Sequence, residues 1–347
     1  MSTTLTDLEI RLLDAADEAQ MRAFHAAYVA ATTFGRAVPT PWVLEEMTAD
    51  LNGARSGEKA LPYGGWVDGE CVAAAVLWLP LKDNTTMGWL EGGVHPDHRR
   101  HGYGSRLLEH LLGLARAEGR STLVASVATP YDGPADGAGH PDADFLTHRG
   151  FTFGLGDVMR TLDLPADEAM LERLAAESLP HHAGYALRHW KGPVPADVVD
   201  AFGDLIGSLI VEAPAGEIEL EREVFDEERI REDEQVLEAS GRTKYTTVAV
   251  APDGTLAAYS ELVLPAHDPG RVYQWGTLVR PEHRGHRLGM ATKAHNLAWF
   301  QREHPEPALL VTFNAEVNAH MIGVNEAMGF RAVERSGEFQ LKLGQER

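Results

Sequence analysis

Two tandem domains of mixed α/β architecture, each built on consecutive hairpin strands, are what this sequence predicts. Three observations predict it. One motif occurs twice, 185 residues apart: Pro96-Asp97-His98-Arg99-Arg100-His101-Gly102-Tyr103-Gly104 and Pro281-Glu282-His283-Arg284-Gly285-His286-Arg287-Leu288-Gly289. A second pair, Gly150-Phe151 and Gly329-Phe330, lies 179 residues apart, so the repeat extends well past the motif. In both halves, β-like runs joined by turn residues precede the motif and a helix-like run follows it. That order differs from a doubly wound parallel sheet.

In the first half, residues 8–13 predict a short strand. Residues 16–31 predict a helix with Met21, Phe24 and Tyr28 on one face at helical spacing. A second helix starts after Pro41. Runs at 63–67 and 71–79 flank Asp68-Gly69, a hairpin signal. Residues 87–95 form the next strand, and Gly92-Gly93 within it predicts a bulge or a close backbone approach. A helix over 103–118 points Leu107, Leu108, Leu111, Leu112 and Ala115 inward and ends at Gly119. A strand at 122–128, a Gly/Pro/Asp-rich loop at 129–140, a short helix at 143–149 and a strand at 158–164 complete the unit.

The second half repeats the order. It predicts a strand at 185–190, a helix at 195–211, and a hairpin of 245–251 with 256–264 across Pro252-Asp253-Gly254. A strand at 271–280 precedes the second motif. A helix at 288–300 follows it, with Leu288, Ala291, His295 and Ala298 along one side. Segments 308–313, 319–328 and 332–343 close the unit. The domains are accordingly expected at residues 1–164 and 184–347, with a linker at 165–183 carrying one short helix.

The longest apolar stretch, Cys71 to Leu81, is too short to span a bilayer and contains Pro80. The first residues lack the basic and apolar regions of a secretory signal. Cys71 is the only cysteine, which excludes an intrachain disulfide and a Cys-based zinc site. A cytoplasmic location without membrane attachment follows. The net charge of −21 argues against nucleic acid as a partner and would attract a cation. Residues 217–238 hold eleven Asp/Glu against three Arg, punctuated by Ile218, Leu220, Val224, Ile230 and Leu237. They predict one or two solvated helices with a narrow apolar stripe.

The repeated loop has a definite chemistry. A helix N-terminus offers unpaired N–H groups and a partial positive charge to an anion. Gly102 and Gly104 let the backbone approach a diphosphate, and Arg99 and Arg100 add forked donors. A dinucleotide fingerprint needs a third glycine where Leu107 stands. A P-loop needs Gly-Lys-Ser/Thr, which is absent. A coenzyme A pyrophosphate site remains.

On these residues the chain resembles the GNAT superfamily of acyl-CoA-dependent N-acetyltransferases, whose signature is Arg/Gln-x-x-Gly-x-Gly/Ala at a strand-to-helix turn. Arg99 to Gly104 satisfies it. Arg284 to Gly289 satisfies it except at Arg287, which stands where the first motif Gly belongs. The two Gly-Phe pairs match the family's last conserved feature. The resemblance covers nearly the whole chain as two copies and is similar in layout to mycothiol synthases. It implies acetyl-CoA as co-substrate and a small primary amine as acceptor. The coenzyme residues it implies are Gly93, Val94, His95, Arg99, Arg100, His101, Gly102, Tyr103, Gly104 and Ser105. In the second half they are Leu278, Val279, Arg284, Gly285, His286, Arg287, Leu288 and Gly289.

The reaction it implies is direct attack of the amine on the thioester. An alkyl amine with a pKa of about 10.4 is neutral in only about one molecule in 2,500 at pH 7, so a base must take its proton. Glu91, five residues before Pro96, is the candidate in the first half. Gly276 holds the equivalent place before Pro281, so Glu261 is the candidate in the second half, with Tyr273 as an alternative. A backbone N–H among Gly93, Val94 and His95, or Leu278, Val279 and Arg280, would meet the developing oxyanion. Many relatives place a general-acid Tyr four residues before the Gly of the last Gly-Phe. Here that position is Leu146 or Asn325, which leaves open a non-catalytic acyl-CoA-binding scaffold. Asn314, Asn318 and Asn325 fit helix caps or turns better than substrate contacts. His95, His98, His101, His283 and His286 cluster near the loops without carboxylate-rich ligand spacing, so no metal is expected. Trp42, Trp66, Trp78, Trp89, Trp275 and Trp299 read as core or pocket walls.

Overall fold

The computed structural model describes residues 8–344; the signal-free character expected of the N-terminus falls partly on residues 1–7, outside them. The described residues form two compact units, 8–154 with 336–344, and 155–335.

The first unit is a mixed sheet with helices on both faces. Strands β1 (Glu9–Leu12), β2 (Glu58–Val67), β3 (Glu70–Pro80) and β4 (Met87–Val94) are antiparallel neighbours in that order. Strand β5 (Thr122–Pro130) joins β4 in parallel. Helices α1 (Glu18–Thr33) and α2 (Leu44–Asn52) cover one face; α3 (Tyr103–Ala117) and α4 (Pro141–Thr147) belong with the other. This explains the unbroken apolar run of β3. Ala74 and Val76 pack with Met21, Phe24 and Tyr28 of α1, while Ala73, Ala75, Leu77 and Leu79 pack with Leu107, Leu108 and Leu111 of α3. A strand buried on both faces does not alternate.

The second unit begins inside β6 (Thr152–Asp163) and contains β7 (Ala186–Lys191), β8 (Arg242–Val250), β9 (Leu256–Pro265), β10 (Arg271–Val279) and β11 (Leu309–Ala315). Its order is β6-β11-β10-β9-β8-β7, with only β10 and β11 parallel. Helices α5 (Glu168–Ser178), α9 (Leu288–Glu303) and α10 (Ala319–Ala327) share one core; α6 (Val199–Gly207) and α8 (Glu227–Ala239) share another, with the short α7 (Leu209–Glu212) between them in sequence. The last strand, β12 (Arg331–Lys342), gives its residues from Ser336 onward to the first unit.

Four expectations change. Residues 165–183 are not a free linker, because Leu171 and Leu174 of α5 are buried in the core of the second unit. Helix α9 does not present one apolar side: with the sheet on one flank and α5 on the other, it also buries Thr292, Lys293 and Asn296, while His295 and Ala298 stay partly exposed. The acidic segment forms one helix, α8, which buries Ile230 and Val236 rather than Leu237, and Val224 is exposed. The helix expected over 195–211 breaks at Ser208 into α6 and α7.

Gly92 carries the largest positive φ of the described residues, 129°, and a Cβ there would stand 2.1 Å from the Ala74 carbonyl oxygen. Backbone cannot yield as a side-chain tip can. Gly92→Ala is expected to cost about 3 kcal/mol or more, read as a lower urea midpoint with an unchanged m-value.

Candidate active site

Each unit opens at the same point. In the first, β4 pairs with β5 only from Met87↔Thr122 to Leu90↔Ala125, although β4 continues to Val94 and β5 to Pro130. In the second, β10 pairs with β11 only from Arg271↔Leu309 to Gln274↔Thr312 before the strands part. The His95 N–H is bonded to Val72 O at 2.9 Å, and the Arg280 N–H to Ala257 O at 2.9 Å. Amides alternate along an antiparallel strand, so those of Val94 and Val279 face the opposite edge, toward the opening. Of the backbone donors expected around the oxyanion, these two face the opening. Gly93 lies beside α1, where a Cβ would come within 3.2 Å of Ala31.

The loops that follow share a backbone. Each makes one turn of 3-10 helix (Pro96–His98, Pro281–His283), then two left-handed residues two apart. In the first loop these are Arg100 (φ 68°) and Gly102 (φ 81°); in the second, Gly285 (φ 86°) and Arg287 (φ 52°). Glycine and arginine have traded places. The departure of the second loop from the family signature therefore leaves its path intact, because a glycine still stands at one of the two strained positions.

What the side chains do differs between the loops. In the first, Arg99 is a structural tie: its guanidinium donates to Val94 O at 3.3 Å and Ala31 O at 3.4 Å, lies 3.6 Å from Asp142, and covers the Phe34 ring. Arg100 is exposed. His101 stacks on Tyr103, which is buried against Leu8 and Val72. The helix therefore offers its first amides rather than its first side chains, and no side chain caps them. A Cβ at Gly102 would meet nothing within 4 Å, whereas one at Gly104 would press on Val94 and Phe145. The Ser105 hydroxyl accepts from Arg149. These residues fit a diphosphate: free amides, open space at Gly102 and an exposed guanidinium.

The second loop is engaged by its own unit. His286 Nδ1 lies 2.9 Å from His181 O, and Arg287 donates to Glu177 O at 3.2 Å, at the C-terminal end of α5. Arg284 pairs with Glu212 at 2.8 Å, and His283 meets the Tyr185 hydroxyl at 2.9 Å. Leu288 is buried, Leu278 and Val279 pack into apolar clusters, and Gly289 has room. Among the described residues no three His, Cys, Asp or Glu side chains converge as metal ligands, and no helix is long and apolar enough to cross a membrane.

The candidate bases also diverge. Glu91 projects from β4 to the α1 face, where the Tyr28 hydroxyl donates to its Oε1 at 2.6 Å and Trp78 and Trp42 hydrogen-bond to the same carboxylate. Burial among these rings raises the Glu91 carboxyl above the usual range; the hydrogen bonds oppose the shift and the charge of Asp50 adds to it. Beyond Trp78 a cleft of about 330 Å³ is lined by Asp50, Arg55, Glu58 and Lys59. Tyr28 was legible only on a helical face, and Trp42 and Trp78 as core or pocket walls, since no local pattern links them to a carboxylate up to 63 residues away. In the second unit a bulge between Gln274 and Thr277 inserts Trp275-Gly276 where Glu91 stands in the first, and the Tyr259 hydroxyl would lie 2.3 Å from a Cβ at Gly276. Glu261 is buried on β9 in an ion pair with Lys244 at 2.9 Å, with Thr246 Oγ1 at 3.4 Å. Tyr273 pairs with Val263, two residues away in register from that site. Glu261 is thus held by a cation, whereas Glu91 is held by neutral hydrogen-bond donors.

Comparison with known proteins agrees with this geometry. Residues 22–136 match the family model for the acetyltransferase (GNAT) family. The chain is similar to a solved tandem GNAT protein from the clavulanic acid biosynthesis pathway: 28% identity, 98% of this chain and 100% of that one covered, TM-score 0.78. It is also similar in fold to a GCN5-related N-acetyltransferase from Sphaerobacter thermophilus, at 15% identity, 98% coverage of both chains and TM-score 0.65. A search of curated proteins finds no match.

Proposed function

Because the chain is a tandem member of the GNAT acetyltransferase family, and so an acyl-CoA-dependent acyltransferase at that level, we propose that it transfers the acetyl group of acetyl-CoA to a small primary amine at its first unit. The observation that carries this reading is the pairing of one available loop with one available base on the same strand: the helix start at Gly102–Ser105 follows directly on the strand that bears Glu91.

Tyr103, Gly104 and Ser105 amides and the Arg100 guanidinium would hold the diphosphate. The thioester supplies the acyl group. Glu91, its carboxylate oriented by Tyr28, takes the proton of the incoming ammonium directly or through water. The Val94 amide faces the opening, where negative charge develops on the carbonyl oxygen. The Trp42 and Trp78 rings exclude water and favour a cation beside them. The second unit keeps the fold but has its loop engaged by carbonyls and a tyrosine at the place of the base, which supports a non-catalytic role for that half alone.

Two measurements test the reading. Purified protein given acetyl-CoA and a panel of primary amines is expected to release free thiol with at least one of them; no release at any amine concentration would favour the scaffold reading. Gly102→Val forces a β-branched residue to φ 81° and fills the space beside the first helix amides. Coenzyme affinity by calorimetry is expected to fall at least about tenfold, given about 1–3 kcal/mol of strain. Unchanged affinity would remove the diphosphate from this loop.

A further inference from the structure

The two strands that follow the short helices are equivalent in sequence: β6 (Thr152–Asp163) and β12 (Arg331–Lys342) have twelve residues each and a constant offset of 179. Each nevertheless serves the unit of the other repeat. Arg160 of β6 lies in the second unit, and Phe339 of β12, its counterpart at the same offset, lies in the first. The residues that receive them are equivalent too. Leu108 of α3 corresponds to Lys293 of α9, and Leu146 of α4 to Asn325 of α10. By strand register, with Leu90↔Ala125 matching Gln274↔Thr312, Val127 of β5 corresponds to Asn314 of β11.

The two sets are opposite in character. In the first unit Phe339, Leu108, Leu146 and Val127 belong to one buried apolar cluster. In the second, Lys293 Nζ donates to Asn325 Oδ1 at 2.7 Å, Asn325 Nδ2 to Asn314 Oδ1 at 3.0 Å, and Arg160 Nη1 to the same oxygen at 2.8 Å. All four residues of that chain are buried, Asn325 and Lys293 at 0% and 1% exposure. Every one of four equivalent positions is apolar in one core and polar in the other.

We propose that this four-residue layer addresses the two look-alike strands to their sheets, so that the exchanged connectivity is the one arrangement in which both layers are satisfied. Were β6 to stay with its own repeat, Arg160 would enter an apolar core without a partner. Were β12 to do so, Phe339 would face the asparagine pair and remove a donor from Asn314. Burying a lone charge and orphaning a buried amide are both strongly unfavourable. A polar residue that selects one association over a near-equal alternative is a known use of buried polarity.

A double-mutant cycle in the full chain tests this. Arg160→Phe and Phe339→Arg are each expected to lower the folding constant in urea titrations, the second by at least about 100-fold. Combined, each strand carries the address of the other sheet, and the double variant is expected to regain at least about tenfold over the product of the single losses. Residues acting only inside separate cores would multiply their losses, and that result overturns the proposal.

Phe339→Arg can fail to fold, so a second variant keeps both cores well packed: Arg160→Phe, Lys293→Leu, Asn314→Val and Asn325→Leu together give the second unit the layer of the first. After refolding from urea this variant is expected to yield several species by size-exclusion chromatography with light scattering, including dimers that trade strands, where the unaltered chain yields one. A single species with unaltered hydrogen-exchange protection over residues 152–163 and 331–342 would overturn the proposal.

Discussion

Replacing Glu91 with Gln is expected to lower kcat/KM for the amine by roughly 100- to 10,000-fold, the usual contribution of a positioned base. The substitution keeps the shape of the side chain and an acceptor for the Tyr28 hydroxyl, and removes only the ability to take a proton. Its pH signature is specific. Burial raises the Glu91 carboxyl, so the acid limb of the rate profile should lie above the ordinary carboxylate range and vanish in the variant. Stability should move the other way. A carboxyl raised on folding is at a disadvantage once the pH passes its unfolded value, so Gln at this position should be at least as stable at pH 7. Loss of turnover with undiminished stability identifies chemistry; an unaltered rate would move the base elsewhere.

The second large effect concerns Lys293. Its amine is fully buried with Asn325 as hydrogen-bond acceptor and the Phe330 ring 5.2 Å away, and burial pulls it down from 10.5 to about 7. The unfolded chain therefore binds one more proton than the native one between about pH 7 and 10.5, and stability should rise with pH across that window. Below pH 7 both states are protonated and the full disadvantage persists, about 4–5 kcal/mol for a shift of this size. Lys293→Met should flatten the slope and add about 1–3 kcal/mol near pH 7, after the orphaned Asn325 carbonyl is allowed for. Urea titrations at pH 6, 7.5 and 9 check it; an equal slope in both proteins would show the amine to be hydrated in the native state.

Much of this was legible from residues alone. The repeated loop, its strand before and helix after, and the Asp68-Gly69 hairpin are local signals, and the structure follows them within a few residues. The likeness to the acetyltransferase family, whose model matches residues 22–136, was legible on the same residues. What was hidden depends on contacts far apart in sequence. Helix α9 carries Lys293 and Asn296 inward because Asn325 of α10 and the backbone of β8 and β9 meet them there, and nothing local announces those partners. Glu91 could be singled out by position, but its partners Tyr28, Trp42 and Trp78 come from elements that periodicity reads as core. The exchange of glycine and arginine between the loops was visible as a mismatch at Arg287; only the dihedral angles show that it preserves the turn.

The placement of β12 bears on the order in which a ribosome can finish this protein. The first unit is translated first, yet residues 336–342 follow the whole second unit in sequence, so its sheet stays one strand short until that unit has been made. The second unit has its full complement once residue 335 has emerged. The usual N-to-C order of domain maturation is inverted here, and the half that bears Glu91 is the one completed second.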